Sequence, residues 1–268
     1  MSTQKGSKPA QPDKKMKILM LHGYTQSGPL FHKKTRALEK LLIKTLAPSS
    51  ILPELIYPSA PVNLRPQDIP GYVFPEGDDG PDPDAKTDAW AWFRKDDATD
   101  TYLHFDEGMS AVSDAIRDAG GIDAILGFSQ GAAVAVLVAA ALESGREPPA
   151  GPAGEWARRL REANSVRDRG VTDLLFAVSY CGFFAPMDSF RWCYDPVIQT
   201  PTLHVIGGLD TIVEESRSRG LVDRTRDPLV VVHPGGHHVP VAKEWAMPLL
   251  GFVKQHSEEK VGGEQEAE

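Results

Sequence analysis

The stretch Ile122-Asp123-Ala124-Ile125-Leu126-Gly127-Phe128-Ser129-Gln130-Gly131-Ala132-Ala133 decides how this chain folds. Its first half is apolar and rich in Ile and Leu, which predicts a buried strand. Small and apolar residues follow from Ala132 to Leu142, which predicts a tightly packed helix. Between them stands Gly-Phe-Ser-Gln-Gly. A strand that turns straight into a helix through Gly-x-Ser-x-Gly pushes its central residue out of the sheet in a tight, strained turn. Gly127 and Gly131 leave room where a Cβ would collide. Ser129 is then exposed at the strand's carboxyl end, above the N-terminus of the following helix, where negative charge is favoured. The bare motif also fits an ordinary strand-to-helix turn with Ser129 as N-cap. The partners found elsewhere in the chain distinguish the two.

Outward from this stretch, strands and helices alternate. Lys17-Ile18-Leu19-Met20-Leu21 predicts a strand, followed by the polar loop His22-Gly23-Tyr24-Thr25-Gln26-Ser27-Gly28. Residues 29–46 predict a helix, with Leu38, Leu41, Leu42 and Thr45 on one face and the lysines mainly elsewhere. Further strands are predicted over 51–57, 172–179, 202–206 and 229–232, and further helices over 105–119, 155–164 and 241–255. The arginines of 155–164 read as a solvated face. Six strands alternating with helices imply an α/β fold, a mostly parallel sheet with helices on both faces. Such sheets carry their sites at the carboxyl ends of the strands.

Residues 16–255 are predicted to form a single domain. Residues 1–15 predict a flexible arm and 256–268 an acidic, disordered tail. Residues 58–100 break the pattern with prolines at 58, 61, 66, 70, 75, 81 and 83 and a dense acidic run. A connection this long is functional or disordered. It ends in Trp90-Ala91-Trp92-Phe93. Two readings are open: an excursion lying over the sheet's active edge, or a disordered surface loop whose Trp90 and Trp92 pack on the core.

A chain of 268 residues suffices for a substantial core. Its net charge of −8 argues against a nucleic-acid binder, which needs a basic footprint. Two cysteines, Cys181 and Cys193, are too few for a disulfide framework and read as free thiols. No apolar leader and no run near the ~20 residues of a membrane span is present, so a cytoplasmic location is expected. Neither a nucleotide-binding glycine loop nor a spaced set of metal ligands is apparent, so no cofactor and no metal are expected.

A serine hydroxyl needs a base within hydrogen-bond reach, and the base needs a third group to hold its tautomer. After Ser129 come Asp210, in Gly-Gly-Leu-Asp, and His237, in His-Pro-Gly-Gly-His-His. Both follow predicted strands, in the order Ser, Asp, His. Asp210 also fits an N-cap, and Asp195, Asp173 and Asp223 are less well placed alternatives. Spacing alone does not separate His237 from His238, and His233 is a third possibility. The remaining histidines read as ordinary core or surface residues, although His22 is placed to order the first loop. Acyl transfer also needs donors for a developing oxyanion. The amides of Gln130 and of Tyr24, or alternatively Thr25, fit that role. Phe128, Trp90, Trp92 and Phe183 are candidates for the wall of an acyl pocket.

As an ordered set, Leu21-His22-Gly23-Tyr24, the Trp and Asp-Asp segment at 88–97, Gly127-Phe128-Ser129-Gln130-Gly131, the Gly-x-x-Asp-x-x-Val element ending at Val213, and His233-Pro-Gly-Gly-His237 resemble the FSH family of serine hydrolases. The resemblance covers about residues 16–254. It implies an α/β-hydrolase fold, esterase activity on carboxylic esters or thioesters, and a catalytic histidine after Gly-Gly, favouring His237. It further implies that a carrier-protein thioesterase, like the fungal relatives that release polyketide chains, is an alternative, with an acyl carrier protein as partner. A non-catalytic binder on the same scaffold is the rival of another class; the intact Ser, Asp and His argue against it. The segments at 75–88 and 145–169 depart from the shorter members, so substrate preference does not carry over.

Overall fold

The computed structural model describes residues 14–73, 87–96, 98–99, 101–165 and 172–262. In chain order the strands are β1 (Lys14–Leu21), β2 (Ile51–Ile56), the short β3 (Val62–Asn63), β4 (Trp90–Ala91), β5 (Arg94–Asp96) and β6 (Thr101–Leu103), then β7 (Ala124–Phe128), β8 (Phe176–Tyr180), β9 (Thr202–Gly207) and β10 (Leu229–His233). The helices are α1 (Gly28–Leu46), α2 (Phe105–Asp118), α3 (Gln130–Leu142), α4 (Glu155–Asn164), α5 (Arg191–Tyr194), α6 (Glu215–Val222) and α7 (Lys243–Gly262). Six strands form one sheet in the order β10-β9-β8-β7-β1-β2, with every neighbouring pair parallel.

Successive strand residues face opposite sides of a sheet, and two cores result. Leu19, Leu21, Ile125 and Ala177 pack with Met109 and Val112 of α2, Leu137 of α3 and Trp156 of α4. Ile18, Met20, Leu126 and Val178 pack on the other side with Phe31 and Leu38 of α1 and Leu249 and Phe252 of α7. Every residue of α3 is buried. A helix that is apolar all round belongs inside the molecule, and its alanines let it lie close against β7 and β8.

The termini and some boundaries differ from expectation. β1 begins at Lys14, because backbone pairing with Ile51 extends it through exposed lysines that carry no apolar signal. The fourth sheet strand runs over Phe176–Tyr180, later than predicted. Helix α7 continues to Gly262, past the expected start of the tail, with Pro248 inside it. The arginines of α4 are not simply solvated. Arg158 donates to Pro149 O at 2.9 Å, and Arg161 donates to Ala141 O at 2.7 Å, tying α4 to its neighbours. The rest of the expected arm (1–13), most of the acidic run (76–86 of 76–88) and residues 263–268 lie outside the described residues.

The described part of the 58–100 connection combines both readings. Val62 and Asn63 pair antiparallel with Ala91 and Trp90. Trp90 also bridges to Gln26, so the segment straps the loop after β1 at the sheet's carboxyl edge. Trp92, meanwhile, is fully buried in the core.

Candidate active site

The ladder pairs Leu21 with Gly127, Phe128 with Tyr180, Tyr180 with Val205, and Gly207 with His233. The loops after β1, β7, β8, β9 and β10 therefore leave one edge side by side. Ser129 is the first residue beyond β7, at φ 54°, ψ −118°. For a residue with a Cβ this conformation costs about 1–3 kcal/mol, so its surroundings must hold it. They do. The Ser129 N–H donates to Tyr180 O at 2.8 Å, and Ser129 O accepts from the Ala132 and Ala133 amides at 2.9 and 3.1 Å. The turn closes only around glycine: a Cβ on Gly127 would stand 2.1 Å from Gly131 O, and one on Gly131 would stand 2.3 Å from Leu21 O.

Three side chains distant in sequence meet above this turn. His237 Nδ1 lies 2.7 Å from Asp210 Oδ2, and His237 Nε2 lies 2.9 Å from Ser129 Oγ. An ionised carboxylate only accepts, so the imidazole proton is on Nδ1 and Nε2 is free to accept from the serine hydroxyl. The second oxygen of Asp210 accepts from the Ile212 and Val213 amides, both at 2.9 Å. The capping reading of Asp210 and the catalytic one thus use different oxygens of one carboxylate, although α6 itself starts only at Glu215. Burial raises the Asp210 carboxyl, but the bonds from Val213, His237 and Ile212 outweigh it and hold the group below the usual carboxylate range.

The neighbouring histidines do other things. His238 stacks edge-on against His233 at 4.9 Å, and its carbonyl lies 3.7 Å from Cys181 Sγ. His233 is buried at the end of β10, and its Nδ1 accepts from the Gly235 amide at 3.2 Å.

The loop after β1 is set by buried hydrogen bonds. His22 Nδ1 donates to Gly23 O at 2.8 Å, while His22 Nε2 accepts from the Ala60 amide at 2.9 Å. Burial pushes this imidazole down to about 4, which keeps it neutral. Trp92 Nε1 donates to His22 O at 2.9 Å. The Gln130 side chain accepts from the Trp92 amide and donates to Phe93 O, both at 2.8 Å, so it clasps the strap to the elbow. The Thr25 amide is engaged with Trp90 O at 3.0 Å. The amides of Tyr24 and Gln130 have no acceptor among the described residues.

Beside Ser129 opens a cavity of about 500 Å³. Phe128 lines it, as expected, together with Tyr24, Phe31, Ile69 and Val239, and Lys34 and Gln26 add polar groups. Trp90, Trp92 and Phe183 do not belong to this wall. Trp90 Nε1 binds Asp88 at 3.2 Å, Trp92 is fully buried, and Phe183 lies in the core beneath the Arg217 guanidinium at 4.4 Å. Large aromatic rings near a site serve the core as readily as a pocket, because burying their area is favourable in either place. Phe31, Ile69 and Val239 were not singled out in the sequence. Their loops and helix meet only after folding, and no local pattern marks them.

Under the relay sits Cys181, itself at φ 49°. Burial, with the Asp210 charge beside it, pushes this thiol up to about 12. Among the described residues Cys181, Asp210 and His237 bring potential metal-ligand atoms within 4.8 Å of one another. Two of these are already hydrogen-bonded to each other and the third is a held thiol, so the cluster suits the floor of the relay.

Comparison with known proteins places the chain in a family. The sequence pattern described as serine hydrolase (FSH1) matches residues 11–249. Esterase OVCA2 of Danio rerio is 30% identical over 260 residues, covering 90% of this chain and 97% of that protein. A Schizosaccharomyces pombe protein named dihydrofolate reductase is 31% identical over 250 residues; the match covers 90% of this chain but only 47% of that protein's length. The Zea mays acyl-protein thioesterase 2 structure, 18% identical, aligns over 92% of this chain and 96% of its own with a TM-score of 0.53. Esterase PE8, 15% identical, aligns over 91% and 93% with a TM-score of 0.55. These structures share the α/β-hydrolase fold. Among the described residues no helix is long and apolar enough to cross a membrane. The relay, the elbow and these matches lead to one conclusion: the chain belongs to the serine hydrolase (FSH1) family and is an esterase-type enzyme of the α/β-hydrolase fold.

Proposed function

We infer that the protein hydrolyses carboxylic esters or thioesters with an apolar acyl group, through an acyl-enzyme on Ser129. The observation that carries this reading is the unbroken line of hydrogen bonds Ser129–His237–Asp210 at the wall of an apolar cavity. Ser129 Oγ attacks the carbonyl carbon while His237 Nε2 takes its proton. The oxyanion is met by the amides of Tyr24 and Gln130 and by the positive end of α3. Collapse breaks the bond to the alkoxide or thiolate, which leaves with the proton from His237. Water then repeats the sequence in reverse and frees the acid. Asp210 holds the imidazole in the tautomer this requires and steadies its positive form.

A fluorophosphonate probe tests the nucleophile. Wild-type protein is expected to be labelled and Ser129→Ala to remain unlabelled. An unlabelled wild type, or labelling that survives Ser129→Ala, sinks the reading. Comparing p-nitrophenyl octanoate with a matched octanoyl thioester then ranks the two leaving groups.

A further inference from the structure

Among the described residues, several buried side-chain atoms lack a hydrogen-bond partner, and only one of them, Gln26 Oε1, belongs to a residue lining the cavity that holds Ser129. Gln26 is 8% exposed. Its backbone is fully engaged: the amide donates to Gly23 O at 3.2 Å, and the carbonyl accepts from the Trp90 amide at 3.1 Å. Thr25, just before it, is fixed at φ 66°. The main chain is therefore pinned on both sides, and only the terminal amide is unmatched. Buried polar groups are nearly always paired, so an orphan on a residue that lines this cavity calls for a partner supplied from outside the chain.

The chemistry of that partner follows from the amide and its place. Gln26 Oε1 is itself covered in this conformation, and it is rotation about the aliphatic side-chain torsions that would turn the amide to the cavity without moving the backbone. A hydroxyl both donates and accepts, so it pairs with either amide atom. Gln26 stands two residues beyond Tyr24, in the loop expected to face the oxyanion. If the acyl chain lies along the apolar wall with its carbonyl at the Tyr24 amide, the hydroxyl that meets Gln26 is borne by the acyl chain close to the scissile carbonyl.

Resting on the esterase reading above, we propose that Gln26 is a specificity-determining residue and that the preferred substrates are esters or thioesters of hydroxylated acyl chains, β-hydroxyacyl groups foremost. The test compares p-nitrophenyl octanoate with p-nitrophenyl β-hydroxyoctanoate on wild type and on Gln26→Met, which keeps the length and removes the amide. Wild type is expected to favour the hydroxylated ester in kcat/KM by at least about tenfold, since a site built around a substrate hydroxyl penalises the analogue lacking it. Gln26→Met should bring the ratio to within about twofold, mainly by slowing the hydroxylated ester. Equal rates in wild type, as when a bound water satisfies the amide, overturn the proposal. So does a preference that survives Gln26→Met. If that variant does not fold, inhibition of the wild type by the free acids decides. β-Hydroxyoctanoate should be bound about tenfold more tightly than octanoate, and equal binding refutes the assignment. Direct binding of the two acids reads the Gln26 contact even in a protein that no fluorophosphonate labels, so failure of the esterase reading and failure of this one are told apart.

Discussion

Asp210 is the residue whose two oxygens can be separated by experiment. Oδ2 accepts from His237 Nδ1–H at 2.7 Å, and Oδ1 accepts from the Ile212 and Val213 amides at 2.9 Å each. In Asp210→Asn the amide oxygen can keep the two backbone bonds. Its NH2 group then faces His237 Nδ1, which must give up its proton to accept. The imidazole carries its hydrogen on Nε2 instead, pointing at Ser129, and no longer acts as a base. The same exchange in a serine protease triad lowers kcat about 10⁴-fold, which is roughly 5–6 kcal/mol of barrier. Stability should change little, because the turn survives. Asp210→Ala removes both kinds of bond and should lose activity similarly, but also cost about 1–3 kcal/mol of folding free energy through the Ile212 and Val213 amides. Initial rates with p-nitrophenyl octanoate and thermal unfolding of the three proteins separate the effects. An Asn variant within tenfold of wild type refutes the tautomer argument. Equal stability of the Asn and Ala variants refutes the division of labour between the oxygens.

Two further outcomes concern stability. His22 and His204 are both buried, and burial holds each near 4, against 6.5 for the free imidazole. The unfolded chain therefore binds more protons between these values, so stability is complete above about pH 6.5 and falls as pH drops toward 4, by on the order of 3 kcal/mol for each histidine. His204→Gln, which keeps a donor toward Thr225 Oγ1, should flatten urea-unfolding free energy over that window; an unchanged slope counts against the burial argument. The Arg146–Glu143 pair at 2.8 Å is almost wholly buried, and Glu143 Oε1 also accepts from the Gln199 and Thr200 amides. Arg146→Ala leaves that carboxylate uncompensated and should cost about 3–5 kcal/mol, with kcat of the folded enzyme retained. Loss of kcat at a temperature where the variant is folded would place Arg146 nearer the chemistry than its position implies.

Much of the site was legible before folding because its parts are local. The turn at 127–131 announces itself through two glycines that sterics demand, and the helix after it through its alanines. Asp210 and the adjacent pair His237 and His238 could be narrowed down because each follows a strand pattern and stands in a fixed order after Ser129, and only the family resemblance favoured His237 within the pair. Apart from Phe128, the pocket wall was not legible. Trp90, Trp92 and Phe183 are aromatic residues close to the site in sequence pattern, but each has another occupation: a strap, a core hydrogen bond and a cation–π contact. The start of β1 is hidden for a related reason. Lys14 and Lys15 join the sheet through backbone bonds, which leave no mark on side-chain polarity.

The sequence by itself determined the alternation of strands and helices, the place of the sharp turn and the chain order of serine, carboxylate and imidazole. These depend on short-range sterics and on the burial period of each segment. Only the tertiary structure decided which of two adjacent imidazoles meets Ser129 Oγ, which amide of the first loop remains unengaged, and which side chains surround the cavity. Those matters depend on strand register and on loops brought together from five strand ends, and no window of sequence contains more than one of them.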